Sequence, residues 1–342
     1  VADEGRSVGG MNACTRHWSA VAILGGCAVA TGASFVLFKA SVLVQEPMVP
    51  GESTWFIAAQ NLVPRFLIGV LLLVALEGGR VLRLTRVEWT QAIFMAVTSF
   101  TGCLLQTDGL QRTSAATTAF LTQFYVILIP LWWAILQRKR PGAIVLLAAG
   151  LVLAGVAVLA RVDWQTLRLG RGELEVLLAA VSFSLLLCSL NWPAFAGNRS
   201  ERTSAAMFLI ETGLFAAVSV VTGREAGHVL APYFSWTWLW LALVTTLLGT
   251  AGPFILMNRW QRFVTPAEAG LLYSFTPVIA VLTEIALPAP LARWTGITYP
   301  NQPLTQTLVV GGALILLANA LIQVKSRTGA GVNPTTATAG PG

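Results

Sequence analysis

The sequence predicts an all-α polytopic membrane protein: ten transmembrane helices arranged as two inverted five-helix repeats. Three observations carry that expectation. The 342 residues are 55% hydrophobic and only 11% charged, with a mean hydropathy of +0.71, against roughly half apolar and a quarter charged in soluble proteins. Ten stretches reach or approach the ~20 mostly apolar residues that one bilayer crossing needs. Two segments of the chain also align with each other at a constant offset.

The first stretch, 18–38, follows a tail (1–17) and runs apolar from Trp18 to Phe38. Leu24-Gly25-Gly26-Cys27 has the outline of a lipoprotein cleavage site, but no polar tether follows it, so the segment reads as an uncleaved helix. The next four are 53–76, 89–108, 114–136 and 142–160, completing a first unit over 18–160. A connector, 161–173, leads to 174–195, 204–222, 234–257, 266–287 and 304–324, a second unit over 174–324. Residues 325–342 are rich in Gly, Thr, Ala and Pro without apolar periodicity, and read as a disordered tail. Short connections leave no room for a soluble catalytic domain.

Orientation follows the Lys/Arg bias of short loops. Alternate loops hold fourteen basic residues, including Arg80, Arg83, Arg86, Arg138, Lys139 and Arg140, against seven on the other side, with Arg65 inside a helix. That places both termini in the cytoplasm of an inner (cell) membrane protein and the 161–173 connector outside, although Arg161, Arg168 and Arg171 run against the bias. The net charge of +7 is scattered and forms no arm or stripe, so no nucleic-acid partner is expected. Of the four cysteines, Cys27, Cys103 and Cys188 fall within spans with neither metal nor disulfide spacing. No metal and no cofactor are expected.

Internal similarity is direct. Residues 113–125 (TSAATTAFLTQFY) align with 265–277 (TPAEAGLLYSFTP), matching span four to span nine. Gly150 and Gly155 then match Gly311 and Gly312, span five to span ten, after a longer linker with Pro288, Pro290, Pro300 and Pro303. An odd-numbered repeat re-enters from the opposite face, giving an inverted pair about an in-plane axis.

The run 110–122 (LQRTSAATTAFLT) followed by Pro130, Pro266-Ala267-Glu268-Ala269-Gly270 followed by Pro277-Val278, and Gly32-Ala33-Ser34-Phe35 with Lys39 resemble the EamA-type members of the drug/metabolite transporter (DMT) superfamily. The resemblance covers residues 18–324 and implies a ten-helix inverted-repeat carrier with both termini inside. Tyr125 stands where the second copy has Pro277, and Thr276 where a Glu often precedes that Pro.

Charged groups within a bilayer are functional candidates by default. Arg65 lies about 16 Å into the second span at ~1.5 Å per residue, and Glu211 is centred in the seventh, its repeat partner. Two readings stand side by side: a mutual ion pair locking the halves, or a solute site in which Arg65 takes an anionic group and Glu211 a cation or proton. Asn61 is one turn before Arg65. Thr118, Thr122 and Tyr125 form a stripe answered by Gly270, Ser274 and Pro277; Gln106, Gln123, Tyr273 and Thr276 complete the expected lining. Pro130 and Pro277 are the expected hinges. Lys39, Asp108, Glu268 and Glu284 read as interface residues able to snorkel, and Trp18, Trp55, Trp89, Trp236 and Trp238 as an aromatic belt.

The expected activity is secondary or facilitative transport of a small metabolite, amino-acid-like or another small organic solute, by alternating access. Membrane lipid is the surroundings and a homodimer is left open. The alternatives are an intramembrane enzyme and a multidrug or cation exporter of the same fold. No phosphate loop or His-Glu-x-x-His pair is present, and His17 and His228 lie outside the spans, so the chain is not expected to be an enzyme.

Overall fold

The computed structural model describes residues 13–136, 138, 142–159, 170–190, 192–260, 263–264 and 266–330. The N-terminal tail as far as residue 12, residues 161–169 of the connector with Arg161 and Arg168, the pair Lys139 and Arg140, and the C-terminal tail beyond residue 330 lie outside the described residues. Those described form helices with no strand.

Each predicted stretch is occupied by a helix or a broken pair. The first three are α1 (Ala13–Gln45), α2 (Thr54–Glu77) and α3 (Arg86–Arg112). The fourth is split into α4 (Ala115–Thr122) and α5 (Tyr125–Leu136), and α6 is Ala143–Leu159. Then come α7 (Arg171–Leu190), α8 (Ser200–Thr222), the short α9 (Ala226–Leu230), and the pair α10 (Trp236–Gly249) and α11 (Ala251–Trp260). A second pair, α12 (Pro266–Ser274) and α13 (Thr276–Ala286), precedes α14 (Pro288–Thr295) and α15 (Gln306–Ala330). Six of these segments are long and apolar enough to cross a membrane, or seven if the pair bent by 54° at α13–α14 is one span. This is a multi-pass membrane protein. The polar residues Gln91, Thr98, Ser99, Thr101 and Gln106 keep α3 out of that set, while α6 and the apolar part of α15 are shorter.

Helix starts are chemically marked. Ser53 accepts a hydrogen bond from the Phe56 amide at 3.1 Å. Thr85 and Glu88 form a reciprocal capping box on α3, at 3.2 and 2.7 Å. Ser114 caps α4 through the Thr117 amide at 3.0 Å. These side chains satisfy amides that have no intrahelical acceptor. At the far end of α14, Gly296 takes φ +77° and its amide closes on Ala292 O at 2.8 Å, a left-handed C-terminal turn that glycine adopts at least cost.

The most extensive helix packings are α3 on α7, α2 on α8, α6 on α15 and α1 on α10. Close backbone approach accompanies two of them: a Cβ at Gly155 would meet Gly311 O at 2.8 Å, and one at Gly109 would meet Gly172 O at 2.7 Å. Small residues at such crossings let helices pack where lipid supplies no hydrophobic drive.

Three expectations are corrected. Trp238 is fully buried, edge-on to Tyr233, not part of a belt; Trp236 and Trp240, one turn apart, share the outer face of α10, and the residue midway between them turns inward. Asp108 and Glu284 do not snorkel: they are 0% and 2% exposed. Asp108 is held by Arg171 at 2.9 Å and Arg112 at 3.7 Å, and both arginines also reach Glu175. Finally, α15 continues as helix to Ala330, past residue 325 where the tail was expected to begin.

Candidate functional site

Arg65 projects from α2 toward the break between α10 and α11. Pro253 has no N–H, so the Gly249 carbonyl at the end of α10 lacks its helical donor. Arg65 supplies one: an Nη donates to Gly249 O at 3.3 Å, and Nε donates to Thr250 Oγ1. A cation at a helix C-terminus is also favoured by the backbone dipole. Its guanidinium stands 4.9 Å from the centre of the Phe38 ring, and Ser34 packs against Gly249 close by.

Glu211 lies between Phe208 and Phe215 on one face of α8, the i−3 and i+4 spacing. Those rings pack with Phe66 at 5.6 and 5.4 Å, and Phe215 with Phe100 at 4.8 Å. The carboxylate is 0% exposed, and neither oxygen has a hydrogen-bond partner among the described residues. Ser99 and Arg65 are its polar neighbours. Arg65 and Glu211 sit in one electrostatic neighbourhood with Cys103, and no ion pair within 4.0 Å joins them among the described residues. An orphaned buried carboxylate is costly unless a proton or cation joins it.

The other expected residues fall into separate groups. Gln106 donates to Thr122 Oγ1 at 2.8 Å, Thr122 to Thr118 O at 2.7 Å and Thr118 to Ser114 O at 2.9 Å, a chain tying α3 to α4. Tyr125, Tyr273 and Cys27 share one electrostatic neighbourhood, and the Tyr273 hydroxyl is buried with no partner among the described residues. Asn61 is consumed between α1 and α2: it accepts from Ser41 Oγ at 2.6 Å and donates to Gln45 Oε1. Gln123 caps the end of α4, while Ser274 and Thr276 are buried on either side of the α12–α13 break. Pro277 opens α13; Pro130 lies inside α5, beyond the interruption at 123–124. Lys39 donates to Thr113 O, and a cavity of about 500 Å³ between α1, α4, α13 and the loop after α14 is lined by Lys39, Thr117, Glu284 and Tyr299.

Sequence reasoning missed Ser34, Phe38 and Thr250 around Arg65, and Ser99 and Cys103 around Glu211. Pro253 was the available signal, since a proline there predicts a free carbonyl at Gly249.

The family model of the EamA-like transporter family matches residues 18–161, less than half of the chain. This segment is similar to that family, which is part of the DMT superfamily and consists of membrane transporters. The EamA-like segment contains Arg65, Gln106 and the Thr118–Tyr125 stripe. No curated protein matches the chain. A crystal structure of another protein aligns with 91% of this chain and 97% of its own, at 20% identity and a TM-score of 0.55; at that identity the likeness concerns the fold, and it extends well beyond the EamA-like segment.

Proposed function

We propose that this protein is a secondary or facilitative carrier of a small metabolite, working by alternating access between two inverted five-helix halves. It resides in the inner membrane with both termini in the cytoplasm. The observation that carries the reading is the pairing of a family match with two opposite charges, Arg65 and Glu211, deep among the helices and not spent on each other.

The repeat draws support from packing. Counting spans in order, the four largest packings join second to seventh, fifth to tenth, third to sixth and first to eighth. Exchanging the halves returns the first two pairs to themselves and swaps the other two. The breaks at Gln123 and Phe275 also fall on aligned positions of the two copies. Broken helices at mid-membrane expose backbone carbonyls to a solute.

In this account Arg65 presents its remaining donors to an anionic group, and Glu211 takes the cationic group or a proton; an amino-acid-like solute satisfies both. Tyr125, Tyr273, Ser274, Thr276 and Gln123 line the path where α4–α5 and α12–α13 break, with Pro277 and Pro130 as hinge elements. The Gln106–Thr122–Thr118 chain and Asn61 hold the surrounding helices.

Purified protein screened by thermal shift against amino acids, organic anions and cationic drugs identifies a solute for counterflow in liposomes. Arg65→Ala and Glu211→Ala should each reduce counterflow at least tenfold while the protein remains folded. Normal exchange by both variants would overturn the site, and ionic current without counterflow would replace the carrier with a channel.

A further inference from the structure

The N-terminus of α4 holds an unusual ligand. Four amides at a helix start need acceptors from outside the helical ladder. Ser114 serves the Thr117 amide. The amides of Ala115 and Ala116 donate to the two oxygens of Glu284, at 2.8 and 2.6 Å. Glu284 comes from α13, some 170 positions along the chain, and is 2% exposed. Two backbone amides at a dipole's positive end, chelating both oxygens of one carboxylate, form an anion site.

The surroundings favour an anion too. The Lys39 ammonium attracts the Glu284 carboxylate, and Tyr299 stands near enough to sense its charge. Tyr299 is 6% exposed, and its hydroxyl is buried with no partner among the described residues. Lys39, Glu284 and Tyr299 line the 500 Å³ cavity, ample for a small organic acid. A structural cap alone does not account for a buried hydroxyl left idle beside it, nor for the open space next to a satisfied carboxylate.

We infer that the N-terminus of α4, with Lys39 and Tyr299, is a carboxylate-binding site that Glu284 fills from within, and that a small carboxylate entering the adjoining cavity takes its place. Exchange of one carboxylate for another conserves the amide hydrogen bonds while releasing α13 from α4. The site is separate from Arg65 and Glu211, and its test does not depend on transport.

The test is rescue of Glu284→Ala in the purified full chain by sodium acetate, with sodium chloride at equal ionic strength as control. Acetate at ten times its dissociation constant raises the folded-to-unfolded ratio about 11-fold, so the unfolding midpoint should rise by a few degrees in acetate alone. The response should vanish in Glu284→Ala/Tyr299→Phe and be much smaller, though present at high acetate, in the wild type, where acetate must displace the tethered carboxylate. If Glu284→Ala does not fold, Glu284→Gln takes its place, because acetate should displace the neutral amide with the same selectivity. No acetate-specific shift in the folded variant, or an equal shift in the wild type, overturns the proposal.

Discussion

The crossing of α6 and α15 offers a sharp test of the packing, through Gly155→Ala. A Cβ on Gly155 would stand 2.8 Å from Gly311 O, 2.8 Å from Ile315 Cγ1 and 3.2 Å from Leu314 Cβ. Carbon contacts are comfortable near ~3.5–4.0 Å, and the two nearest neighbours are a backbone oxygen and the Cγ1 of a β-branched side chain, both held in a helix. Overpacking of this kind costs about 1–3 kcal/mol. Replacing a mid-helix glycine by alanine returns roughly 0.5–1 kcal/mol, so the net loss is about 1 kcal/mol from the midpoints and at most about 2.5 kcal/mol. The control is Gly150→Ala in the same helix, where an added Cβ meets nothing within 4 Å and only the propensity gain remains. Thermal unfolding of the two variants in one detergent should rank Gly155→Ala below wild type and Gly150→Ala at or above it. A Gly155→Ala protein as stable as Gly150→Ala would refute the close crossing.

Other outcomes follow from the same contacts. Arg65→Lys keeps the charge but loses the fork that serves both Gly249 O and Thr250 Oγ1, and should retain folding with a solute affinity reduced about tenfold, one lost hydrogen bond to a charged group being worth ~1.5 kcal/mol, measured by thermal shift with the identified solute. Thr85→Ala breaks the α3 capping box and should cost ~1 kcal/mol in thermal unfolding. Glu52, in the loop before α2, gives a pH signature: burial pushes its carboxyl up, but hydrogen bonding with His228 at 2.8 Å and the amides of Arg224 and Glu225 outweigh it and hold it below the ordinary range. A depressed carboxyl stabilises the fold above its unfolded pKa of about 4.3 and loses that contribution as pH falls through the folded value. Glu52→Gln should therefore unfold earlier than wild type at pH 7, with the gap closing in acid; a gap independent of pH would contradict the assignment.

Hydropathy made the helical stretches legible because lipid demands length and apolarity, although six, or seven with the bent pair, are long and apolar enough to cross. The helix breaks were not legible: the fourth and ninth stretches read as continuous, and no proline stands at Gln123 to announce one. What hydropathy cannot register is which way a residue faces: Trp238 and Trp236 are two positions apart, yet one is buried and the other 76% exposed. The pairing of Arg65 with a carbonyl freed by Pro253 joins residues 184 positions apart, and Glu284 reaches α4 over 168 and 169. Arg65 and Glu211 were visible as anomalies in apolar sequence, but what each faces is a matter of tertiary geometry. Glu284 was misassigned to the interface because proximity to a helix end says nothing about the amides of another helix aimed at it.

The inverted arrangement of the halves carries the whole account, and its most direct test is thiol labelling of single cysteines in a cysteine-free variant, in intact cells with a membrane-impermeant reagent. Cysteines at Gly51, Gly227 and Asn301 should label from outside, and those at Gly79, Arg138 and Gly197 only after the membrane is permeabilised. Labelling of Gly51 and Gly79 from the same face, or of Gly51 and Asn301 from opposite faces, would contradict it.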